Sequence, residues 1–240
     1  SMQPAKDADL VIEAIFENLD AKQSVFKQLE EICPPHTIFA SNTSSISLTS
    51  LAAATKRPSQ VVGMHFFSPV PKMKLCEVIF GLLTEQDVLD SIKAVGERMG
   101  KTLILADDKP GFIVNRALLP MLNEACVIVG SYIGSVEDVD KALVYGPGIR
   151  WAIFGHNMIM QMGNPGGLTG MVEMLGNSGD RWLEDMASWT HQPDNWAQVA
   201  QPGVNQEMAN FPDYIGHTNA ECIAYRDQML IDILKLHKKL

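Results

Sequence analysis

Gly-Met-His-Phe-Phe-Ser-Pro-Val-Pro, residues 63–71, joins an apolar run to a loop that two prolines make rigid. The run begins at Val61 and reads as a buried strand, which the prolines prevent from continuing. The next apolar run, residues 77–80, begins with the carboxylate of Glu77. The pattern predicts two strands of one sheet, with His65 near the end of the first and an acid on the second.

His65 and Glu77 are a candidate pair for proton transfer near neutral pH. A carboxylate beside a histidine fixes the tautomer of the imidazole and stabilises its protonated form. A histidine in an apolar run is also often a hydrogen-bonded structural residue, and spacing alone leaves that alternative open. The sequence makes His65 a candidate general base, with a structural role as the alternative.

Short β-branched runs alternate with amphipathic segments up to about residue 107. The predicted strands are residues 9–15, 37–40, 61–67, 77–80 and 102–105, and the predicted helices are residues 20–32, 47–54 and 85–99. Strands that alternate with helices indicate an open α/β sheet, so we predict an α/β domain over residues 1–107.

Strand patterns disappear from Pro110 onward. The sequence predicts a helix over residues 112–129 and another that Ser135 caps. Predicted turns rich in Gly and Pro fall at residues 146–148, 163–170, 176–179 and 202–203. We therefore predict an all-helical domain over residues 108–240.

Composition and charge exclude several classes of function. The 240 residues are 46% hydrophobic and carry a formal net charge of -9, which argues against a nucleic-acid partner. The cysteines are far apart, so we expect neither a metal site nor a disulfide framework (Cys33, Cys76, Cys126, Cys222). No apolar run approaches the roughly 20 residues that span a bilayer. We expect no membrane partner and a cytoplasmic protein.

Polar side chains follow three predicted strands, where an α/β sheet binds its ligands. Glu17 and Lys22 follow the first strand, residues 41–45 (Ser-Asn-Thr-Ser-Ser) follow the second, and His65 ends the third. A turn and helix cap near Ser47 would use most hydroxyls of residues 41–45, and Lys22 is by default a solvated helix residue. Five small polar residues exceed the needs of one cap, so at least one is a candidate ligand contact.

Asn115 is a further candidate because it stands in the run Gly-Phe-Ile-Val-Asn-Arg, surrounded by apolar residues. A buried amide needs a hydrogen-bond partner. The partner is either the loop between the domains or a substrate in the cleft between them.

Residues 9 to about 145 closely resemble the 3-hydroxyacyl-CoA dehydrogenase family. Five motifs in family-like order carry the resemblance, namely residues 8–14, Glu17-Asn18-Leu19 with Lys22, residues 41–45, residues 65–75 with Glu77, and residues 110–116. The resemblance implies a partial Rossmann-type parallel sheet that lacks its first half, followed by an all-helical C-terminal domain. It also implies NAD-dependent oxidation of a 3-hydroxyacyl-CoA.

The resemblance also implies roles for individual residues. His65 would be the general base, Glu77 would orient it, and Ser44 and Asn115 would position the substrate oxygen. The residues implied at the cofactor are Glu17, Lys22, Asn42 and Ser44, and those implied at the substrate are Ser44, Ser68, Asn115 and Arg150.

The sequence departs from the family at its start. Family members begin with a strand and a G-x-G-x-x-G turn for the pyrophosphate, and no such turn occurs here. The glycines of residues 163–170 lie in a helical context and do not replace it. We expect a family member without its first half, about 75–90 residues, that binds NAD poorly and is inactive by itself.

A second departure concerns the substrate. Residues 145–152 (Tyr-Gly-Pro-Gly-Ile-Arg-Trp-Ala) are similar to carnitine dehydrogenase and lambda-crystallin relatives, which oxidise free 3-hydroxy acids, and Ser68 stands where the family usually has Asn. Arg150 in a cleft would suit a free carboxylate, and a surface arginine is the alternative. A dehydrogenase of a small free 3-hydroxy acid is therefore the second hypothesis.

The helical half is rich in large apolar side chains (Met158, Met160, Met162, Met171, Met174, Trp182, Trp189, Trp196). They predict a homodimer through the helical domain, and core packing explains them almost as well. A third hypothesis is a non-catalytic dimerisation module with a vestigial half-sheet.

Overall fold

The structure is a computed structural model and describes residues 2–191 and 194–238. The chain divides into two compact units. The first, here called the sheet unit, is Ser1–Ala117 with Asp227–Leu240, and the second, the helical unit, is Leu118–Arg226. The domain boundary that the sequence places after residue 107 stays a prediction.

The sheet unit contains a five-stranded sheet in the order β1-β2-β3-β4-β5. The strands are β1 Leu10–Glu13, β2 Ile38–Ser41, β3 Val61–Phe66, β4 Leu75–Phe80 and β5 Thr102–Asp107. The helices between them are α1 Leu19–Ile32, α2 Leu48–Ala52 and α3 Gln86–Arg98. Each predicted strand and helix of this half is present, so the predicted α/β class is confirmed.

The sheet is mixed because β3 and β4 run antiparallel, while the other neighbouring strands are parallel. Only residues 67–74 connect β3 to β4, which is too short for the crossover of about a dozen residues that a parallel pair requires. The antiparallel register places His65 directly opposite Glu77. Residues directly opposite in such a pair share one face of the sheet, so their side chains meet.

Two hydrophobic clusters enclose the central strands. One joins α1 and α2 to one face of the sheet, with Phe26, Phe39 and Leu51 fully buried. The other packs Met64 and Val78 with Ile92 of α3. His65 and Glu77 alternate with Met64 and Val78 along their strands, so they lie on the opposite face from this second cluster.

Gly63 of β3 lies in close contact with Ile79 of β4. A Cβ there would stand 2.8 Å from the Cβ of Ile79, its opposite residue, which is fully buried. We expect Gly63→Ala to lower the free energy of unfolding by about 1–3 kcal/mol through overpacking, as measured by urea denaturation. The control is Gly81→Ala, whose Cβ would meet its nearest atoms at 3.4 Å. Equal stability of the two variants would contradict the prediction.

The helical unit begins within α4 (Val114–Gly130). It continues with α5 Val136–Leu143, a π-helical turn Val144–Gly148, α6 Ile149–Trp151, α7 His156–Met162, α8 Gly167–Asp185 and α9 Trp196–Ala209, and it ends within α10 (Asn219–Leu236). Ser135 caps α5 as predicted, in a capping box with Asp138. No strand occurs among the described residues of this unit, which confirms its helical class.

Two predicted turns of the helical unit are wrong. Residues 146–148 lie within continuous helical structure, and Pro202 lies inside α9. At the neighbouring residue, Gly203, a Cβ would stand 2.7 Å from the side chain of Val136. The glycine there permits close packing of α9 on α5 rather than a turn. Within the described part of the chain, no helix is both long and apolar enough to cross a membrane.

Candidate active site

His65 and Glu77 form a buried hydrogen-bonded pair. Nδ1 of His65 lies 2.7 Å from Oε2 of Glu77, and both side chains are almost inaccessible to solvent. Because Nδ1 faces a carboxylate, it carries the proton, and Nε2 is the acceptor in the neutral imidazole. The imidazole ring packs against the rings of Phe67 and Phe112, with centroid distances of 4.6 and 5.6 Å.

The second carboxylate oxygen of Glu77 binds the start of α4. Oε1 accepts hydrogen bonds from the backbone N–H groups of Ile113 and Val114, each at 3.0 Å. A helix N-terminus favours a negative charge because its first N–H groups have no partner within the helix. Glu77 therefore fixes both the histidine and the residue before Asn115.

Asn115 is partly exposed on the first turn of α4. Among the described residues, none forms a hydrogen bond with its side chain, so its carboxamide has donors and acceptors available for a ligand.

Residues 41–45 connect β2 to the histidine. Oγ of Ser44 lies 3.1 Å from Nε2 of His65, and Oδ1 of Asn42 accepts the backbone N–H of Phe66 at 2.9 Å. The expected turn is present, because the hydroxyls of Ser41 and Thr43 accept the backbone N–H groups of Thr43 and Ile46 at 3.2 and 2.9 Å, but no hydroxyl of residues 41–45 caps α2. Ser47 itself caps α2 by accepting the N–H of Ser50.

Glu17 lies at the centre of the hydrogen bonds of this segment. Its Oε1 accepts the backbone N–H groups of Ser44 and Ser45 at 2.9 and 3.0 Å, together with the hydroxyls of Thr43 and Ser45. Partial burial alone would raise the pKa of Glu17, but these hydrogen bonds outweigh it and lower the pKa to about 2.

The low pKa of Glu17 makes stability depend on pH in a defined direction. A carboxylate whose pKa is depressed on folding contributes stability above its unfolded pKa and loses it as the pH falls through the folded value. The Glu17 side chain is 37% exposed, so we expect a contribution of only about 1 kcal/mol. The difference in unfolding free energy between the parent protein and Glu17→Gln should narrow from about pH 5 to about pH 2. Urea denaturation at each pH measures this difference, and Glu97→Gln, at an exposed residue, is the control. A stability difference between the parent and Glu17→Gln that widens as the pH falls would contradict the prediction.

Lys22 is buried, so the expectation of a solvated helix residue is wrong. Its side chain is 1% exposed, and Nζ lies 2.8 Å from Oε1 of Glu13 and 3.2 Å from Oε2 of Glu17. Lys22 stands four residues before Phe26 and seven before Leu29, on the buried stripe of α1. That spacing is the pattern in the sequence that could have revealed its burial.

Sequence reasoning missed two carboxylates that link separate elements of the sheet unit, one of them in the site. Glu13, at the end of β1, is buried and accepts the hydroxyl of Ser41 at 2.6 Å as well as pairing with Lys22. A carboxylate inside an apolar run was the available indication. Asp108 accepts the hydroxyl of Ser47 at 2.7 Å and the N–H of Thr49 at 2.8 Å, which joins the end of β5 to α2.

Ser68 and Arg150 are not brought to the histidine by any described contact. Ser68 is exposed and precedes Pro69, the peptide bond between them being cis. Arg150 is an exposed residue of the helical unit, and its Nε donates to the carbonyl of Gly146 at 3.4 Å. The roles that the resemblance gives these residues stay predictions.

Comparison with known proteins identifies matches over most of the chain. Residues 1–109 match the family described as 3-hydroxyacyl-CoA dehydrogenase, NAD binding domain, and residues 111–214 match the C-terminal domain of the same family. A probable 3-hydroxybutyryl-CoA dehydrogenase of Bacillus subtilis is 51% identical over 146 residues, 61% of this chain and 51% of that protein. The mitochondrial hydroxyacyl-coenzyme A dehydrogenase of Homo sapiens is 48% identical over 140 residues, 58% of this chain and 45% of that protein.

The chain spans about half the length of these curated relatives. Among solved structures, FadB2 of M. tuberculosis is 30% identical, with a TM-score of 0.64, and the match covers 85% of this chain and 69% of that one. The resemblance found in the sequence motifs is thereby confirmed. On sequence and fold together, the chain belongs to the 3-hydroxyacyl-CoA dehydrogenase family.

Proposed function

We propose that this chain carries the proton-transfer site of an NAD-dependent 3-hydroxyacyl-CoA dehydrogenase, an oxidoreductase that converts a 3-hydroxyacyl-CoA to the 3-oxoacyl-CoA. The observation that supports this most directly is the orientation of His65. Its Nδ1 is bound by the buried carboxylate of Glu77, while its Nε2 faces the hydroxyl of the exposed Ser44. The geometry leaves Nε2 as the basic atom on the open side of the site.

In the proposed reaction, Nε2 of His65 takes the proton of the substrate 3-hydroxyl as the carbon–oxygen double bond forms. Glu77 stabilises the resulting imidazolium, because its negative charge lies 2.7 Å from Nδ1. Ser44 and Asn115 donate hydrogen bonds to the substrate oxygen and hold it near the base. When bound, NAD would supply the acceptor for the hydride of the 3-carbon.

The residues present fit one end of that cofactor better than the other. Asn42, Ser44 and Glu17 follow β1 and β2 at the carboxyl edge of parallel strands, where such sheets bind nucleotides. The 240 residues contain no G-x-G-x-x-G turn for the pyrophosphate. We therefore propose contacts to the nicotinamide end only, and we expect the 240-residue chain to be inactive by itself.

The proposal is tested by NADH oxidation with acetoacetyl-CoA. The assay compares this chain with a chimera in which the residues that precede the matched region of the Bacillus subtilis relative are joined in front of Asp9. We expect that segment to supply the pyrophosphate turn, so that the chimera turns over and the chain alone does not. A folded chimera that binds NADH yet reduces no acetoacetyl-CoA would contradict the proposal, and one that reduces neither acetoacetyl-CoA nor acetoacetate would favour a non-catalytic module.

A free 3-hydroxy acid is the second candidate substrate, and it rests on the similarity of residues 145–152 to relatives that oxidise free acids. Arg150 itself is exposed, as the alternative of a surface arginine predicts. The chimera distinguishes the two when acetoacetyl-CoA and acetoacetate are compared. A preference for acetoacetate that is lost in Arg150→Gln would support the free acid. A preference for the thioester that Arg150→Gln leaves unchanged would support the acyl-CoA.

We also propose a homodimer formed through the helical unit. Large apolar side chains are extensively exposed there, among them Tyr132 at 94%, Tyr145 at 73% and Leu183 at 71%. Met158, Met162, Met174 and Trp182 are each at least half exposed as well, which favours an interface over core packing for these residues. Light scattering should give twice the 26.4 kDa of one chain. The mass of a single chain would contradict the dimer.

A further inference from the structure

The ammonium group of Lys22 is surrounded by oxygen atoms of the protein. An ammonium carries three N–H groups and no acceptor. The Nζ atom of Lys22 lies 2.8 Å from Oε1 of Glu13, 3.2 Å from the carbonyl oxygen of Ile15 and 3.2 Å from Oε2 of Glu17. Two of these contacts are hydrogen bonds and the third is an ion pair, and the side chain is only 1% exposed, so the ammonium faces oxygen atoms of the protein and not solvent.

The two carboxylates that bind Lys22 also hold the two ends of residues 41–45. Glu13 accepts the hydroxyl of Ser41 through the oxygen that does not face Lys22. Glu17 divides its oxygens in the same way, with Oε2 toward Lys22 and Oε1 toward the N–H groups of Ser44 and Ser45. The lysine therefore fixes two carboxylates, which in turn fix the backbone on both sides of residue 44.

We propose that Glu13, Lys22 and Glu17 form a clamp that positions the Ser44 hydroxyl against Nε2 of His65, and that Lys22 is a positioning residue acting through Glu17. The inference deepens the proposed function, because it explains how the partner of the base is held. It also gives Lys22 a role other than the cofactor contact that the family resemblance implies.

The need for a clamp follows from the composition of the segment. Ser, Thr and Asn side chains bond readily to nearby backbone groups, so residues 41–45 have several local conformations of similar energy. Charged acceptors select one of them, since hydrogen bonds to a carboxylate are stronger than those between neutral groups. Removal of the Lys22 ammonium would leave Glu13 and Glu17 as neighbouring carboxylates without a counter-ion, and their repulsion would displace Glu17.

The test is the nitrogen NMR spectrum of His65 in the full 240-residue chain, with the resonances assigned by their loss in His65→Gln. We expect Ser44→Ala, Glu17→Ala and Lys22→Met to shift the Nε2 resonance in the same direction. Because Glu17 is proposed to act through Ser44, the double variant Glu17→Ala/Ser44→Ala should match Ser44→Ala alone. A purely structural contribution of Glu17 to stability predicts no such equivalence.

Glu30→Ala is the matched control. Glu30 is also a carboxylate of α1, and it accepts a loop N–H, that of Lys56, at 2.7 Å. Its loss should leave the His65 spectrum unchanged. The clamp would be refuted if Glu17→Ala left Nε2 unshifted while Ser44→Ala shifted it, if the double variant added the two shifts, or if Ser44→Ala itself had no effect.

Ser45→Ala serves as a milder variant if Glu17→Ala or Lys22→Met does not fold. Ser45 is exposed, and the variant removes only the hydrogen bond that its hydroxyl donates to Oε1 of Glu17 at 3.0 Å. The buried charges of Glu13 and Lys22 stay in place. We expect a smaller shift of Nε2 in the same direction, and an unshifted Nε2 in a folded Ser45→Ala would count against the clamp.

These spectra need no turnover, so they are independent of whether the chimera is active. In an active chimera, Glu17→Gln should lower kcat by about 10- to 100-fold and leave the KM for acetoacetyl-CoA nearly unchanged. A folded chimera that binds NADH but is inactive, together with the expected spectra, would refute the proposed function and keep the clamp. An active chimera, together with an unshifted Nε2 resonance in Glu17→Ala, would support the proposed function and refute the clamp.

Discussion

Replacing His65 with glutamine is expected to lower kcat of the chimera for acetoacetyl-CoA by about 10²–10⁴-fold, with little change in KM. The assay measures reduction of acetoacetyl-CoA, the reverse of the oxidation described above. In this reduction, the imidazolium of His65 gives its Nε2 proton to the oxygen that becomes the 3-hydroxyl. A glutamine has nearly the same reach and keeps hydrogen-bonding capacity, but it cannot hold a transferable proton near neutral pH. The loss should therefore fall on the chemical step rather than on binding.

His36→Gln provides a matched control for this measurement. His36 also faces a carboxylate, Oδ1 of Asp9 at 3.0 Å, but its side chain is 64% exposed. Steady-state NADH oxidation should show a normal rate for His36→Gln and a severe loss for His65→Gln. If the two variants are equally active, another residue must be the base.

Glu77→Leu is expected to lower the free energy of unfolding by about 3–5 kcal/mol, the largest loss of stability expected for a single substitution of the site. The carboxylate is fully buried and accepts three hydrogen bonds, from Nδ1 of His65 and from the N–H groups of Ile113 and Val114. A leucine of similar volume leaves all three donors without an acceptor, and each buried unsatisfied donor costs about 1–3 kcal/mol.

Urea denaturation measures this loss, and Glu77→Gln refines it. A glutamine keeps one acceptor oxygen, which can serve either the histidine or the helix N-terminus, so we expect an intermediate stability. Asp9→Asn, at the acid of the exposed His36 pair, should change stability by less than about 0.5 kcal/mol. A Glu77→Leu protein as stable as the parent would contradict the prediction.

The sheet and its central pair could be predicted because their determinants are local. The apolar run that ends at His65, the prolines after it and the acid at the head of the next run all lie within residues 61–80. The same segment carries much of the family resemblance. Ser44 was predicted through that resemblance, and its contact with His65 depends on the parallel pairing of β2 with β3.

The clamp was not predicted because its contacts depend on tertiary structure. Glu13 and Lys22 meet only when the turn after β1 brings the start of α1 back over the strand end, nine residues apart in sequence. The helical pattern shows that position 22 lies on the buried stripe of α1, but it does not show that carboxylates lie beside it. The antiparallel β3–β4 pair was missed for another reason, since strand composition does not reveal direction, whereas the length of residues 67–74 does.

The two oxygens of Glu77 have different partners, which limits the substitutions that residue 77 can accept and the ways in which the site can be transferred to another protein. The same side chain binds the proposed base, His65, and the start of α4, so a substitution at residue 77 that favours one contact would weaken the other. An aspartate there, one methylene shorter, would reach the histidine or the helix but not both. Transferring His65 and Glu77 alone to another protein would therefore not reproduce the site. A designer who grafts it onto another scaffold must carry β3, β4 and the first turn of α4 together.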